Sequence, residues 1–226
     1  MRKERGMRFC FLCLLILTLA TGCASGPMYP SAMFRDYSGM TKQYDLDHVR
    51  IAPGTDFSAY NTILISPVDT SSLMMTNLDL EDQKEVTSKL LENFRAEMSR
   101  HFSMVATKSS DIGQGQKALR LDLGMTEMEG TNVMLNMMVG FSSGNAKATF
   151  EGRLVDLEAG TEVVAFADRK KGFPFGSKKE FWDHSFIAPE YSKLKYLLLF
   201  TEIWAENVGN IVKSLKTGHP SVGKGK

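Results

Sequence analysis

The 226-residue sequence predicts an α+β fold, with a mostly antiparallel sheet of about five strands and two long helices packed on it. Three observations predict this fold. Short apolar runs bounded by Gly, Pro or Asp indicate strands, two long segments with apolar residues every three or four positions indicate helices, and one of these helices falls between strands. We expect a single domain, which follows a cleaved lipoprotein signal peptide.

The N-terminus has the three parts of a secretory leader. Basic residues come first, then an apolar run over residues 9–20, then the small pair Thr21 and Gly22 before Cys23. The apolar run of 12 residues is too short for a transmembrane helix, which needs about 20. Residues 19–23 (LATGC) have the form of a bacterial lipobox, in which the Cys thiol is acylated. The sequence therefore predicts cleavage between Gly22 and Cys23 and lipidation of Cys23.

The lipobox also predicts the location of the protein. A diacylglyceryl group plus an N-acyl chain such as palmitate is a far stronger anchor than a single myristoyl chain. Because Ala24 rather than Asp follows Cys23, we expect the outer membrane of a Gram-negative bacterium, with the domain facing the periplasm. The predicted organisation is a signal peptide over residues 1–22, the lipidated Cys and a flexible tether over 23–33, the domain over 34–217 and a disordered tail over 218–226.

Composition excludes several function classes. Removal of residues 1–22 takes away four of the 27 basic and one of the 26 acidic residues, which leaves a net charge of about −2. This balance argues against a nucleic-acid partner, which would require a basic surface. Cys10 and Cys13 leave with the leader, and Cys23 is acylated. The mature domain then has no thiol for catalysis, a disulfide or a metal site.

The first elements follow the tether. We predict that residues 34–53 are irregular, without helix or strand, and that they dock on the domain through Phe34, Tyr37 and Met40. Residues 60–68 (YNTILISPV) predict a strand covered on both faces, because the apolar run has no polar alternation. Residues 78–102 predict a helix capped by Asn77 or Asp79.

The second half of the chain predicts further strands and a second helix. Residues 104–107 indicate a short strand, and residues 119–125 alternate apolar and polar side chains, as a strand with one buried face does. Residues 146–157 and 162–168 predict a hairpin whose connection contains Gly160. Residues 190–216 predict the second helix.

Three segments resemble, in the same order, the pattern of a known family. They are residues 34–40 (FRDYSGM), 60–68 (YNTILISPV) and 152–168 (GRLVDLEAGTEVVAFAD). The family comprises Gram-negative lipoproteins catalogued as a domain of unknown function, number thirty-three thirteen. Its members pair a lipobox with a DYS segment, a strand ending in Pro-Val and a D-x-x-x-G hairpin. The resemblance implies an envelope location and a single α/β domain over the mature chain, and it carries no catalytic residues.

Candidate catalytic and metal-binding residues are few. The four histidines share no metal-ligand spacing, and they are His48, His101, His184 and His219. Asp69 follows a strand end, where ligands often bind, and is the best candidate for a functional carboxylate. Three further aspartates could join it, and they are Asp122, Asp156 and Asp168. Strand-end aspartates more often cap turns, so we predict no catalytic residue, no metal site and no cofactor.

Two apolar segments are the candidates for contact with a partner or a lipid. The first, residues 133–141 (VMLNMMVGF), is either a buried strand or an exposed loop, and the sequence leaves both interpretations open. Its candidate contact residues are Met134, Leu135, Met137, Met138 and Phe141. The second segment, residues 170–182, interleaves lysines with aromatic residues, a mixture that suits anionic headgroups or a solvated loop. Its candidate contact residues are Phe173, Phe175 and Trp182.

These observations give three functional hypotheses of different classes. The first is a non-catalytic, outer-membrane-anchored lipoprotein whose periplasmic domain binds another envelope protein. The second is a module that handles lipid or lipopolysaccharide through the two apolar segments. The third is an envelope hydrolase that uses Asp69. An exposed flat patch would favour the first, a roomy apolar cavity the second, and a cleft with clustered carboxylates the third.

Overall fold

The fold is built on one sheet with two helices on one of its faces. A computed structural model of the chain describes residues 31, 33–130, 146–171 and 194–218. Within these ranges the strands are β1 (Thr41–Gln43), β2 (Leu46–Ile51), β3 (Thr62–Ile65), β4 (Met75–Thr76), β5 (Met104–Ala106), β6 (Ala118–Glu129), β7 (Lys147–Asp156) and β8 (Glu162–Lys171). The helices are α1 (Leu80–Met98) and α2 (Lys195–Thr217).

The sheet is mixed, in the order β1-β2-β8-β7-β6-β3-β5, and β4 pairs with β6 beyond the end of β3. Strands β1, β2, β8, β7 and β6 pair with one another, in that order, in antiparallel fashion. Strands β3, β4 and β5 extend this sheet in parallel pairings. The α+β class is confirmed, but the prediction of a mostly antiparallel sheet of about five strands is wrong. Helix α1 crosses over between β3 and β5, and such a connection returns the chain in parallel.

The core lies between the sheet and the two helices. The Phe150 ring on β7 stacks on Trp204 of α2, with ring centroids 4.9 Å apart, and lies 5.6 Å from Phe94 of α1. Gly152 makes room for the neighbouring strand, because a Cβ there would lie 2.3 Å from the Phe166 ring. Strand β3 is buried over its whole length, as its unbroken apolar run predicts.

The termini of both helices fit their sequences. Asp79 caps α1 by accepting a hydrogen bond from the backbone N–H of Asp82 at 2.9 Å, which satisfies one of the free amides of the first turn. Helix α2 ends at Gly218, whose φ of 65° is the left-handed conformation usual at a helix C-terminus. Both helices begin later than predicted, α1 by two residues and α2 by about five.

The face of the sheet opposite the helices is polar. Side chains alternate between the two faces along β6, β7 and β8, so Asp122, Glu151, Arg153 and Arg169 share the polar face. The charged side chains of this polar face lie on the side of the sheet that the residues after the predicted tether contact.

Candidate functional site

An N-terminal strap, which we define as Ser31 and residues 33–40, crosses the polar face of the sheet. Ser31 begins the strap beside β6 and β7, and the Met33 side chain reaches Gly124 of β6. Phe34 is buried, and its ring meets that of Tyr37 edge-on with centroids 6.2 Å apart. The sequence assigns Ser31 and Met33 to the tether, but in the structure both already contact the sheet.

The strap is fixed by one buried carboxylate, that of Glu151. The Ser31 and Tyr37 hydroxyls each donate a hydrogen bond to it, one to each oxygen. The Ser31 Oγ also accepts from the backbone N–H of Met33 and of Phe34, at 3.0 and 2.9 Å. One serine side chain thus closes a local turn and ties it to β7.

Glu151 is unusual because it is buried without a countercharge. It is 1% exposed, and no cation in the described part of the chain forms an ion pair with it. Burial raises the pKa of Glu151 above its usual value, although the hydrogen bonds from Ser31 and Tyr37 act in the opposite direction. Burial and the contact with Glu151 likewise raise the pKa of Tyr37, whose ring lies 5.1 Å from that of His48. Tyr37 therefore stays a hydrogen-bond donor throughout the physiological range.

A small cavity lies where the strap meets β6. Its volume is about 10 Å³, room for about one water, and its lining includes Ser31, Met33, Asp69 and Glu151. The Thr126 hydroxyl also lines it and is buried without a hydrogen-bond partner in the ranges that the structure describes. Water is the ligand that this volume and this single unpaired hydroxyl fit.

Further along the polar face, Glu127 forms a buried ion pair with Arg169. Both guanidinium contacts are 2.7 Å long, and Thr149 donates a third hydrogen bond at 2.9 Å. Burial alone would raise the pKa of Glu127, but the bonds from Arg169 and Thr149 outweigh it and leave that pKa below its usual value. Glu127 is therefore held as an anion in an ion pair that links β6 to β8 across β7.

The structure does not gather the four candidate aspartates in one cleft, although the backbone of Asp69 pairs with Gly124, two residues from Asp122. Asp69 is exposed and accepts from the backbone of Ser71. Asp122 is paired with Arg120 and Arg153, whereas Asp156 closes the β7–β8 turn at the far end of the sheet. Asp168 lies on the helix face, where its Oδ2 accepts from the Trp204 indole at 2.7 Å.

Each of these carboxylates thus has a partner in the fold. In the described ranges, no three His, Cys, Asp or Glu side chains are grouped as metal ligands. His48 lies against Tyr37, and His101 is 3.0 Å from Glu97 in α1. No described helix has the length and apolar character that crossing a membrane requires.

The site residues predicted from the sequence lie outside the described residues. This holds for the cleavage and lipidation site at Gly22 and Cys23. It also holds for every predicted contact residue, namely Met134, Leu135, Met137, Met138, Phe141, Phe173, Phe175 and Trp182. These assignments stay predictions.

The structure adds two apolar contact candidates that the sequence analysis missed. Among the described residues, the most exposed large apolar side chains are Leu80 and Met74, at 74% and 54%. Met74 precedes the short strand β4, and Leu80 opens helix α1. Leu80 lies in the first turn of α1, six residues before Val86, where the buried stripe begins, so periodicity alone does not mark it as exposed.

Comparisons with known proteins give a family and distant structural similarities. No curated protein sequence matches the chain. A PelC dodecamer from Paraburkholderia phytofirmans is similar at 14% identity over 55% of this chain and 81% of that chain, with a TM-score of 0.35. The hypothetical protein CT253 from Chlamydia trachomatis is similar at 9% identity over 70% and 99%, with a TM-score of 0.37. A minor lipoprotein from Acinetobacter baumannii is similar at 6% identity over 70% and 94%, with a TM-score of 0.33.

At such identities and TM-scores, these structures carry no argument about function. The family model described as "Protein of unknown function (DUF3313)" matches residues 30–184, which is more than half of the chain. The match contains the strap, the β3 strand and the β7–β8 hairpin, the three segments in which the resemblance was found. The resemblance is therefore confirmed, and the chain belongs to the DUF3313 family.

Proposed function

We propose that this protein is an outer-membrane lipoprotein, acylated at Cys23, whose periplasmic domain binds another envelope protein without catalysing a reaction. The lipobox at residues 19–23, which ends a basic and apolar leader, is the observation that carries the proposal. Ala24 supports the outer membrane as the destination. The strap supports an anchoring role for the N-terminus, because it fastens the chain to the sheet eight residues after Cys23.

The candidate aspartates support a non-catalytic role. Asp122, Asp156 and Asp168 are each bound by side chains or turn amides of the fold, and Asp69 holds its own turn. Asp156 closes the turn at the far end of β7 and Asp168 lies on the helix face, so neither shares a cleft with Asp122, whereas a paired-carboxylate hydrolase needs two carboxyl groups roughly 5–10 Å apart in one cleft.

Substitution of the lipobox cysteine tests the anchor. We expect Cys23→Ser to move the protein from the membrane pellet to the soluble periplasmic fraction, because the acyl chains have no other point of attachment. Cys10→Ser and Cys13→Ser, both in the leader, are matched controls that should leave the protein in the pellet. A Cys23→Ser protein that still pellets in high salt would contradict the anchor, and mass spectrometry of the N-terminal peptide identifies the lipid directly.

Crosslinking in native envelopes tests the partner. The sequence predicts contact through Met137 and Phe175, so Met137→Asp and Phe175→Asp variants are compared with the wild-type acylated protein. Glu158→Lys, in the exposed β7–β8 turn, is the control. Loss of one stoichiometric protein partner in either Asp variant, with an unchanged melting temperature, supports a binding module. Recovery of lipid or lipopolysaccharide alone would instead support the lipid-handling alternative.

A further inference from the structure

We propose that the end of the domain carrying Met74 and Leu80 rests on the membrane that holds the anchor, with both side chains inserted among the lipids. This inference rests on the proposed lipidation of Cys23 and adds an orientation and a contact surface to it. Four features of the described residues and of the chain length carry it.

The tether is too short to let the domain turn freely. Seven residues lie between Cys23 and Ser31, and the eight residue-to-residue steps of a fully extended chain cover about 3.3–3.6 Å each, so Ser31 stays within roughly 29 Å of the acylated cysteine. A domain of about 190 residues has a radius of gyration of about 16 Å and thus a diameter of roughly 40 Å. Orientations that turn the surface around Ser31 fully away from the bilayer are therefore excluded.

Met74 lies close to this point. Ser31, Asp69 and Thr126 line the same small cavity, so the strap begins beside the segment that follows β3. The backbone N–H of Met74 donates to the carbonyl of Thr126 at 3.0 Å, which places Met74 at the next position along β6. The chain then passes through β4 to the start of α1, where Leu80 lies.

The surface that presents Met74 and Leu80 is held in place. Strand β4 pairs with β6 at Glu127 and Met128. The Asn77 amide clamps Gly130, accepting from its N–H at 2.7 Å and donating to its carbonyl at 3.1 Å. Both side chains therefore project from a fixed backbone, although their exposure leaves more than half of each in water. Covering such apolar side chains with a lipid surface removes them from water, and this lowers the free energy of the system.

Charge identifies the kind of lipid. Asp79, Glu81 and Asp82 flank Leu80, while Lys171 is exposed at the end of β8 on the same end of the sheet. The acidic residues would oppose attraction to an anionic surface. Insertion should therefore depend on apolar contact, occur on zwitterionic phosphatidylcholine and persist at high salt.

Site-specific fluorescence on the acylated full-length protein tests the orientation. Because Cys23 is consumed by acylation, Met74→Cys and Leu80→Cys each give one thiol for an environment-sensitive NBD label. Glu158→Cys, at the opposite end of β7, is the control position. In phosphatidylcholine vesicles we expect blue-shifted emission, at least about twofold brighter, at positions 74 and 80, with quenching by doxyl lipids and no change at 158.

The outcomes separate this inference from the proposed function. Vesicle flotation with water-like emission at all three positions would overturn the membrane contact and leave the anchor intact. Failure to float at all would contradict the anchor itself. Emission at 74 and 80 that shifts only when an envelope protein is added would overturn the inference as well, because it would assign the surface to a protein partner.

Discussion

At the scale of single residues, two buried glutamates on the polar face of the sheet show opposite electrostatics. Glu151 is buried with two hydroxyl donors, and its pKa is raised mainly by that burial. Glu127 is buried with Arg169, and its pKa is lowered because the guanidinium bonds outweigh burial. Protonation of Glu151 should therefore relieve the cost of its burial, whereas protonation of Glu127 should weaken the β6–β8 ion pair.

The raised pKa of Glu151 predicts a pH-dependent stability. Folding raises this pKa above 4.5, so its contribution is fully present below pH 4.5 and is lost as the pH rises through the folded-state pKa. Glu151→Gln keeps an acceptor but removes the charge, and we expect it to abolish this loss and to stabilise the protein at neutral pH. Urea unfolding of both proteins across this pH range measures the effect.

The matched control for this substitution is Glu129→Gln, because Glu129 lies on the same strand pair and is partly exposed beside Lys147. We expect it to change stability by less than about 1 kcal/mol, as usual for a surface ion pair. A Glu151→Gln protein that keeps the wild-type pH profile would contradict the role assigned to Glu151.

Sequence alone could not identify Glu151 as the residue that fixes the strap. Glu151 is an acidic residue in an alternating strand, a position that is typical of solvent-exposed side chains. Its burial depends on Ser31 and Tyr37, which lie more than 100 residues earlier in the chain. The docking of Phe34 and Tyr37 was predictable from their apolar surface, but the carboxylate beneath them was not.

At the scale of elements, α1 and α2 approach closely at one glycine. A Cβ on Gly209 would lie 2.3 Å from Oε1 and 2.5 Å from Cγ of Glu97, which faces it from α1. Glu97 cannot move away freely, since it pairs with Arg100 at 2.6 Å and with His101 at 3.0 Å. The lack of a side chain at position 209 therefore sets the distance between the helices.

This contact predicts a coupled effect of two substitutions. We expect Gly209→Ala to lower the free energy of unfolding by roughly 1–2 kcal/mol, because overpacking outweighs the gain of about 1 kcal/mol in helix propensity. Adding Glu97→Ala removes the obstacle, so the double variant should be more stable than the sum of the two single effects. Denaturant unfolding of all four proteins gives the coupling energy, and strictly additive effects would contradict the predicted clash.

The elements predicted from the sequence are those with long periodic or continuous apolar patterns. Both helices, β3 and the β7–β8 hairpin belong to this group, and Gly160 in the hairpin has the expected positive φ of 67°. Strands β1 and β2 were missed, because the turn between them uses Tyr44 and Asp45 at positive φ rather than the usual Asn-Gly pair. Strand β4 has two residues, too few for a pattern.

The error in sheet topology has the same origin. Local patterns specify strands, but the partner of each strand depends on contacts between distant residues. Strand β2 pairs with β8 at His48 and Ala167, so the antiparallel half of the sheet closes only when both ends of the domain are present.

At the scale of the whole molecule, the proposed anchor at Cys23 would make the length of the tether a limit on the orientation of the domain. The extended chain between Cys23 and Ser31 is shorter than the domain is wide, so with Cys23 in the membrane the domain could not turn the Met74 side fully away from the bilayer. A longer tether should preserve anchoring and relax orientation, since the two properties depend on different parts of the chain.

Insertion of 20 Gly and Ser residues after Gly26 tests this dependence. Such a segment adds about 25 Å of root-mean-square reach, so we expect vesicle flotation to stay complete while the NBD signal at position 74 falls towards its value in water. A rigid Pro-rich insert of equal length is the control and should lower the signal further. An unchanged signal with either insert would show that the contact does not depend on the tether.

The strap also determines how mechanical load enters the domain. If Cys23 carries the proposed lipid, any pull between the membrane and the protein acts through that residue and reaches the described fold first at Ser31, whose hydroxyl donates a hydrogen bond to Glu151. The strap crosses the strands, so its few side-chain bonds are loaded one after another, whereas the long β6–β7 and β7–β8 ladders carry no load until it has peeled away. Under tension the strap would therefore detach from the sheet and extend, while the sheet and its helices stay folded.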